Sequence, residues 1–198
     1  MRQLTILAAF LGCFIGTASA VHAQASRSAP DRLPEVDLER YMGRWYEIAR
    51  LPMWFQRGCV ESWATYTLAD KDAVTVHNEC ITDRGKRKSA AGTAKVVDKV
   101  NGSRLEVVFD NWFSRLFPFL AKGKYWIFYI DPDYRHAMVG HPNRKYLWIL
   151  SRSPEMDDAT YSRLIGIAEE LRFDTKRLLR FGRTKENASQ AGSGAHNR

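Results

Sequence analysis

The sequence predicts an all-β fold, an eight-stranded antiparallel up-and-down barrel with one C-terminal α-helix packed outside. Three observations predict it. Stretches from Trp45 to Ser151 alternate apolar and polar residues with period two. Short polar turns join most of them, among them Asn101-Gly102, a strong hairpin dipeptide. Beyond Ser153 the apolar residues recur at helical spacing instead. Closing such a sheet abolishes the edge strands that an open one would expose.

The elements follow in order. Trp45–Leu51 reads as the first strand, and Pro52–Gly58 as a loop. Val60–Leu68 and Val74–Ile81 form a hairpin around Asp70-Lys71-Asp72. Ala90–Val97 and Arg104–Asp110 form the next, turning at Asn101-Gly102. Lys124–Ile130 and His136–Gly140 flank Asp131-Pro132-Asp133-Tyr134, and Tyr146–Ser151 is the eighth strand after Pro142-Asn143-Arg144. Asp157–Leu171 then carries Tyr161, Leu164, Ile165, Ala168 and Leu171 on one helical face. Leu178–Phe181 reads as a short final strand.

The chain ends read differently. Met1-Arg2, an apolar run from Leu4 to Ile15 and the small residues Ala18-Ser19-Ala20 and Val21-His22-Ala23 have the order of a secretory signal peptide. It spans 1–23, with cleavage after Ala20 or Ala23. A lipoprotein signal using Phe10-Leu11-Gly12-Cys13 is the less favoured alternative. Residues 24–35 read as a flexible leader, 36–181 as the folded domain and 182–198 as a disordered Gly/Ser/Ala/Asn tail. Export leaves two cysteines, Cys59 and Cys80, in a disulfide-permissive compartment, and an even remainder suggests one bridge. The formal charge of +8 does not point to nucleic acid, because basic residues are scattered among acidic ones with no organising motif.

Three stretches resemble the signature regions of the lipocalin family. Gly43-Arg44-Trp45 is similar to the family's Gly-x-Trp motif on its first strand. Asp131-Pro132-Asp133-Tyr134 is similar to the Thr-Asp-x-x-Tyr turn between the sixth and seventh strands, with Ile130 in the threonine's place. Arg152 closes the eighth strand. The resemblance covers Val36 to Phe181 and is closest to the bacterial lipocalins grouped with apolipoprotein D. It implies that Trp45 sits at the closed end of the barrel with Arg152 across its indole, and that Gly43, Trp45, Asp131, Tyr134 and Arg152 are structural.

Trp45 and Arg152, inward by the resemblance, set the alternation on the first and eighth strands, and resemblance and apolar character choose the inward face of the others. The expected cavity wall is Ala49, Ala64, Tyr66, Val76, Asn78, Val107, Phe109, Tyr125, Ile127, Met138, Tyr146 and Trp148, with Glu47, Leu51, Val74, Leu105 and Leu150 on the same faces. An apolar, aromatic wall with few polar handles is the make-up of a small-ligand pocket. A barrel filled solid by these side chains is the alternative. The resemblance implies a fatty acid or lysophospholipid as ligand, its head paired with a rim cation such as Arg57, Arg115 or Lys122. It also implies a periplasmic or outer-membrane-associated carrier; the sequence leaves monomer and homodimer both open. The apolar loop Trp112–Leu120 and the lid Pro52–Arg57 fall at the open end, where they either contact a membrane or fold onto the rim.

No motif assembles a reaction centre. Gly-x-Ser-x-Gly, His-Glu-x-x-His, Cys-x-x-Cys and a phosphate loop are all missing from the sequence. The expectation is a binder with no catalytic residue, cofactor or metal. The alternatives are an enzyme using Cys80 as a cavity thiol, a carrier of haem or pigment, and a small outer-membrane barrel.

Overall fold

A computed structural model describes residues 33–109 and 123–181. Nine strands form one sheet: β1 Gly43–Arg50, β2 Cys59–Asp70, β3 Ala73–Thr82, β4 Arg87–Val96, β5 Arg104–Phe109, β6 Gly123–Ile130, β7 His136–Gly140, β8 Leu147–Ser151 and β9 Leu179–Arg180. The strands from β2 to β8 pair in sequence order. β1 then pairs antiparallel with both β8 and β2, which closes eight strands into a barrel and leaves β9 as an outer addition on β1. The fold class read from the alternation is the observed one.

Among the described residues, two α-helices frame the barrel. α1, Leu38–Tyr41, is capped by Asp37, whose carboxylate accepts from the backbone N–H groups of Glu39 and Arg40. It was not anticipated, because four residues carry no readable period. α2, Asp158–Glu170, starts under Asp157, whose carboxylate accepts from Thr160 N–H at 2.8 Å. It buries Leu164 and Ala168 against the barrel. Fully burying one leucine stabilises by roughly 1.5–3 kcal/mol.

The sheet therefore has two apolar layers. Trp45, Tyr66, Val76, Val107, Ile127 and Val139 belong to the inner cluster, within the barrel. Ile48, Ala49, Phe128, Met138, Ile149 and Leu164 belong to the outer one, between barrel and α2. Leu33, within the expected flexible leader, is buried in this outer cluster. β4 begins at Arg87, three residues ahead of the expected Ala90, because exposed Arg87-Lys88-Ser89 continues the ladder without apolar alternation. The expected signal segment with Cys13, the Trp112–Leu120 loop with Arg115, Lys122 and the 182–198 tail lie outside the described residues.

Candidate functional site

The turns divide the barrel into two ends. β2–β3, β4–β5 and β6–β7 turn at one end, and β1–β2, β3–β4 and β7–β8 at the other. At the first end Trp45 is fully buried, and its indole N–H donates to Tyr41 O at 2.8 Å. The Arg152 guanidinium lies 3.9 Å from the indole centroid, a cation–π contact of about 0.5–2 kcal/mol. All three guanidinium nitrogens also donate: Nε to Tyr134 O, Nη1 to Arg44 O, and Nη2 to Arg40 O and Tyr41 O.

The remaining signature residues converge on the same end. Gly43 adopts φ +94°, and a Cβ there would sit 3.3 Å from Arg152 Nη1; only glycine meets both demands. Asp131 accepts from Arg135 N–H at 2.6 Å and contacts His136 Nδ1 at 2.8 Å, which shapes the β6–β7 turn. Tyr134 OH accepts from Asp37 N–H at 2.7 Å and so ties that turn to the α1 cap. Gly102, in the expected Asn-Gly turn, has φ +67° and lets Val36 O approach to 2.6 Å of where a Cβ would stand. These contacts stopper the barrel.

Above the stopper lies a cavity of about 930 Å³. Its middle is apolar, walled by Ala64, Val74, Val76, Leu105, Val107 and Leu150 among others. Near the closed end three phenols meet: Tyr125 OH is 3.0 Å from Tyr41 OH and 2.8 Å from Tyr66 OH. Burial pushes Tyr66 up to about 12 and raises Tyr41 and Tyr125 well above the ordinary phenol value. All three hydroxyls are therefore neutral at physiological pH.

The open end is built from other chemistry. Lys86, Lys88, Lys124, Lys145 and Arg57 line the mouth. Among the described residues, none of these five forms an ion pair. Burial, then the charge of Lys124, lowers the pKa of His141 in the same rim. The loop after β1 is anchored by a buried network. Gln56 Nε2 donates to Glu47 Oε2 at 2.9 Å, and Trp148 Nε1 donates to Gln56 Oε1 at 2.9 Å. Arg50 pairs with Glu47 and donates to Gln56 O and Cys59 O, both at 3.1 Å. Burial raises the Glu47 carboxyl pKa despite Arg50 and Gln56.

A family model described as the lipocalin-like domain matches residues 36–182. The chain belongs to the lipocalin family. It is 43% identical over 146 residues to temperature-induced lipocalin-1 of Arabidopsis thaliana, covering 72% of this chain and 77% of that one. It is 34% identical over 183 residues to the outer membrane lipoprotein Blc of Escherichia coli K12, covering 90% and 96%. Mouse apolipoprotein D is 26% identical over 186 residues, covering 90% and 93%. Apocrustacyanin C2 superimposes with a TM-score of 0.57 at 16% identity, covering 76% of this chain and 81% of that one, a likeness of fold alone.

In this lipocalin Ala64, Tyr66, Val76, Asn78, Val107, Tyr125, Tyr146 and Trp148 line the cavity. Ala49 and Met138 do not; both are buried in the outer cluster, beneath α2. The reason at Ala49 is a bulge, since the register with β8 slips between Glu47 and Ala49 and inverts the alternation counted from Trp45. At Met138 the expected face rests on resemblance and apolar character. β7 is buried on both sides, with Val139 inside and Met138 facing Ile149 outside, so that criterion cannot choose. Ile127 belongs to the inner cluster without lining the open cavity. The Phe109 side chain lies outside the described residues.

Cys59 and Cys80 form a disulfide, S–S 2.05 Å, whose residues border the mouth. A bonded sulfur is no thiolate, so the cavity-thiol enzyme loses its nucleophile. No group of three or more His, Cys, Asp or Glu converges on a metal-sized site among the described residues. Sequence reasoning missed Tyr41 and the four mouth lysines. Counting which turns share an end would have gathered Lys86, Lys124 and Lys145; nothing in the sequence singled out Tyr41.

Proposed function

We propose that this lipocalin is an exported carrier that holds a fatty acid or lysophospholipid in its barrel without reacting it, and serves envelope lipid storage, transport or maintenance. The observation that carries this reading is the polarity of the cavity: an apolar shaft opening among lysines that no carboxylate pairs among the described residues. Such a shaft suits an acyl chain, since each CH₂ removed from water stabilises by about 0.8 kcal/mol. The mouth suits a carboxylate or phosphate held near water. Ala64, Tyr66, Val76, Asn78, Val107, Tyr125, Tyr146 and Trp148 are the proposed ligand wall.

Export through the 1–23 segment agrees with the name of the Escherichia coli relative, an outer membrane lipoprotein. Trp54, 49% exposed beside the mouth lysines, supports peripheral contact with an anionic membrane. Titration of the lipid-stripped protein with a fluorescent fatty acid tests the reading. The wild type binds saturably, and Trp148→Ala weakens binding about tenfold, or 1.4 kcal/mol, with its circular dichroism intact. No saturable binding by the wild type contradicts the carrier role. Unchanged affinity in Trp148→Ala removes that wall of the site.

A further inference from the structure

The phenol trio is a polar patch at the end of the cavity where a plain acyl chain would place its methyl group. We propose that the preferred ligand of the cavity is an oxygenated acyl chain, with its anionic head at the mouth and a neutral hydroxyl or carbonyl oxygen hydrogen-bonded to Tyr41, Tyr66 and Tyr125. The inference rests on the carrier reading above and narrows its ligand class.

Hydrogen-bond capacity is the first support. Each hydroxyl donates one proton and accepts up to two. Tyr125 OH bonds to Tyr41 OH and Tyr66 OH, and no other side chain among the described residues hydrogen-bonds to the three. Even a closed ring of mutual bonds would leave acceptor positions open on every oxygen. All three residues line the cavity, so a ligand that fills it to the closed end meets the trio. A hydrocarbon terminus leaves the acceptor positions unfilled, whereas a ligand hydroxyl fills one and a ligand carbonyl takes a phenol proton. Buried polar groups left without partners are costly.

Charge is the second support, because it decides between an oxygen and a carboxylate. The trio holds its protons at neutral pH and contains no cation. The Arg152 guanidinium in the stopper is occupied by the Trp45 face and by four backbone carbonyls. A carboxylate buried there would find every Arg152 nitrogen already bonded to a backbone carbonyl and could form no direct ion pair with it. Among the described residues, the cavity-lining lysines without an ion pair are at the other end: from Tyr66 back to Cys59, seven residues of β2 at roughly 3.3 Å each put about 23 Å of strand between trio and rim. An anionic head is therefore steered to the mouth, and the chain's far end to the phenols.

Calorimetric titration of the lipid-stripped full chain tests this with dodecanoic, tetradecanoic and hexadecanoic acids and their ω-hydroxy counterparts. At the chain length that reaches the trio, the hydroxy acid binds as tightly as the plain acid or tighter, and Tyr125→Phe lowers the hydroxy-to-plain affinity ratio about tenfold. Tyr66→Phe serves as a second variant should Tyr125→Phe lose its near-ultraviolet dichroism. Hydroxy acids weaker by tenfold or more at every length, or a ratio unmoved by folded Phe variants, overturn the deep-oxygen assignment while leaving the carrier reading standing. Failure of plain and hydroxy acids alike to bind the wild type overturns the carrier reading, and this inference with it.

Discussion

At the closed end of the barrel each nitrogen of the Arg152 guanidinium has a backbone carbonyl to reach, and its flat face covers Trp45. At the open end Lys86, Lys88, Lys124 and Lys145 point to no carboxylate among the described residues. The contrast separates two uses of cationic side chains within one small barrel. Where a cation is saturated by the protein's own groups it fixes the fold. Where it is left unsaturated beside an apolar shaft, it is free to take the proposed ligand's anionic head as its partner.

Substitutions at the two ends should therefore separate stability from binding. Trp45→Ala strikes the stopper and should have the largest effect. It removes a fully buried indole and costs about 3–5 kcal/mol, seen as a lower urea midpoint. A midpoint within 1 kcal/mol of wild type would deny the closed end its structural role. At the mouth, Lys88→Ser combined with Lys124→Ser should shift the midpoint by less than about 0.5 kcal/mol. The same pair should weaken binding of a fatty-acid anion about fivefold at low salt, and less at high salt as screening shortens the reach of the charges. Equal affinity at both salt concentrations would mean that the mouth does not read charge.

The smallest effect sharpens the comparison on the barrel's flank. The Arg87 guanidinium, then the Trp63 indole N–H, hold the Glu79 carboxyl below its ordinary range against the opposing effect of burial. A depressed carboxylate contributes stability above its unfolded pKa and loses it as pH falls through the folded one. Because Arg87 is largely exposed, the contribution is about 0.2–1 kcal/mol. Urea midpoints of wild type and Glu79→Gln should therefore differ at neutral pH and converge in acid; a gap that widens in acid would reverse the assigned sign.

Much of this was legible in the sequence, and the exceptions have physical causes. On β8 the alternation counted from Arg152 places Trp148 correctly, and between the two irregularities of β2 and along β3 it holds well enough that resemblance and apolar character place Tyr66 and Val76. Alternation fails where a bulge adds Ile48 to β1, because one extra residue inverts every face beyond it. It also fails on β7, where α2 covers the outside and both faces become apolar. The phenol trio joins residues from α1, β2 and β6, far apart in the chain, and only closure of the barrel brings their hydroxyls together. The mouth lysines are hidden in the same way, since lysine in a polar turn is ordinary until several turns share one rim.

Mass spectrometry of lipid extracted from the protein, purified from its own host without detergent, tests the carrier role most directly. A fatty acid or lysophospholipid near one molecule per barrel is the expected result, depleted in Trp148→Ala. Protein that is lipid-free when isolated, or that carries haem or a pigment instead, would contradict it.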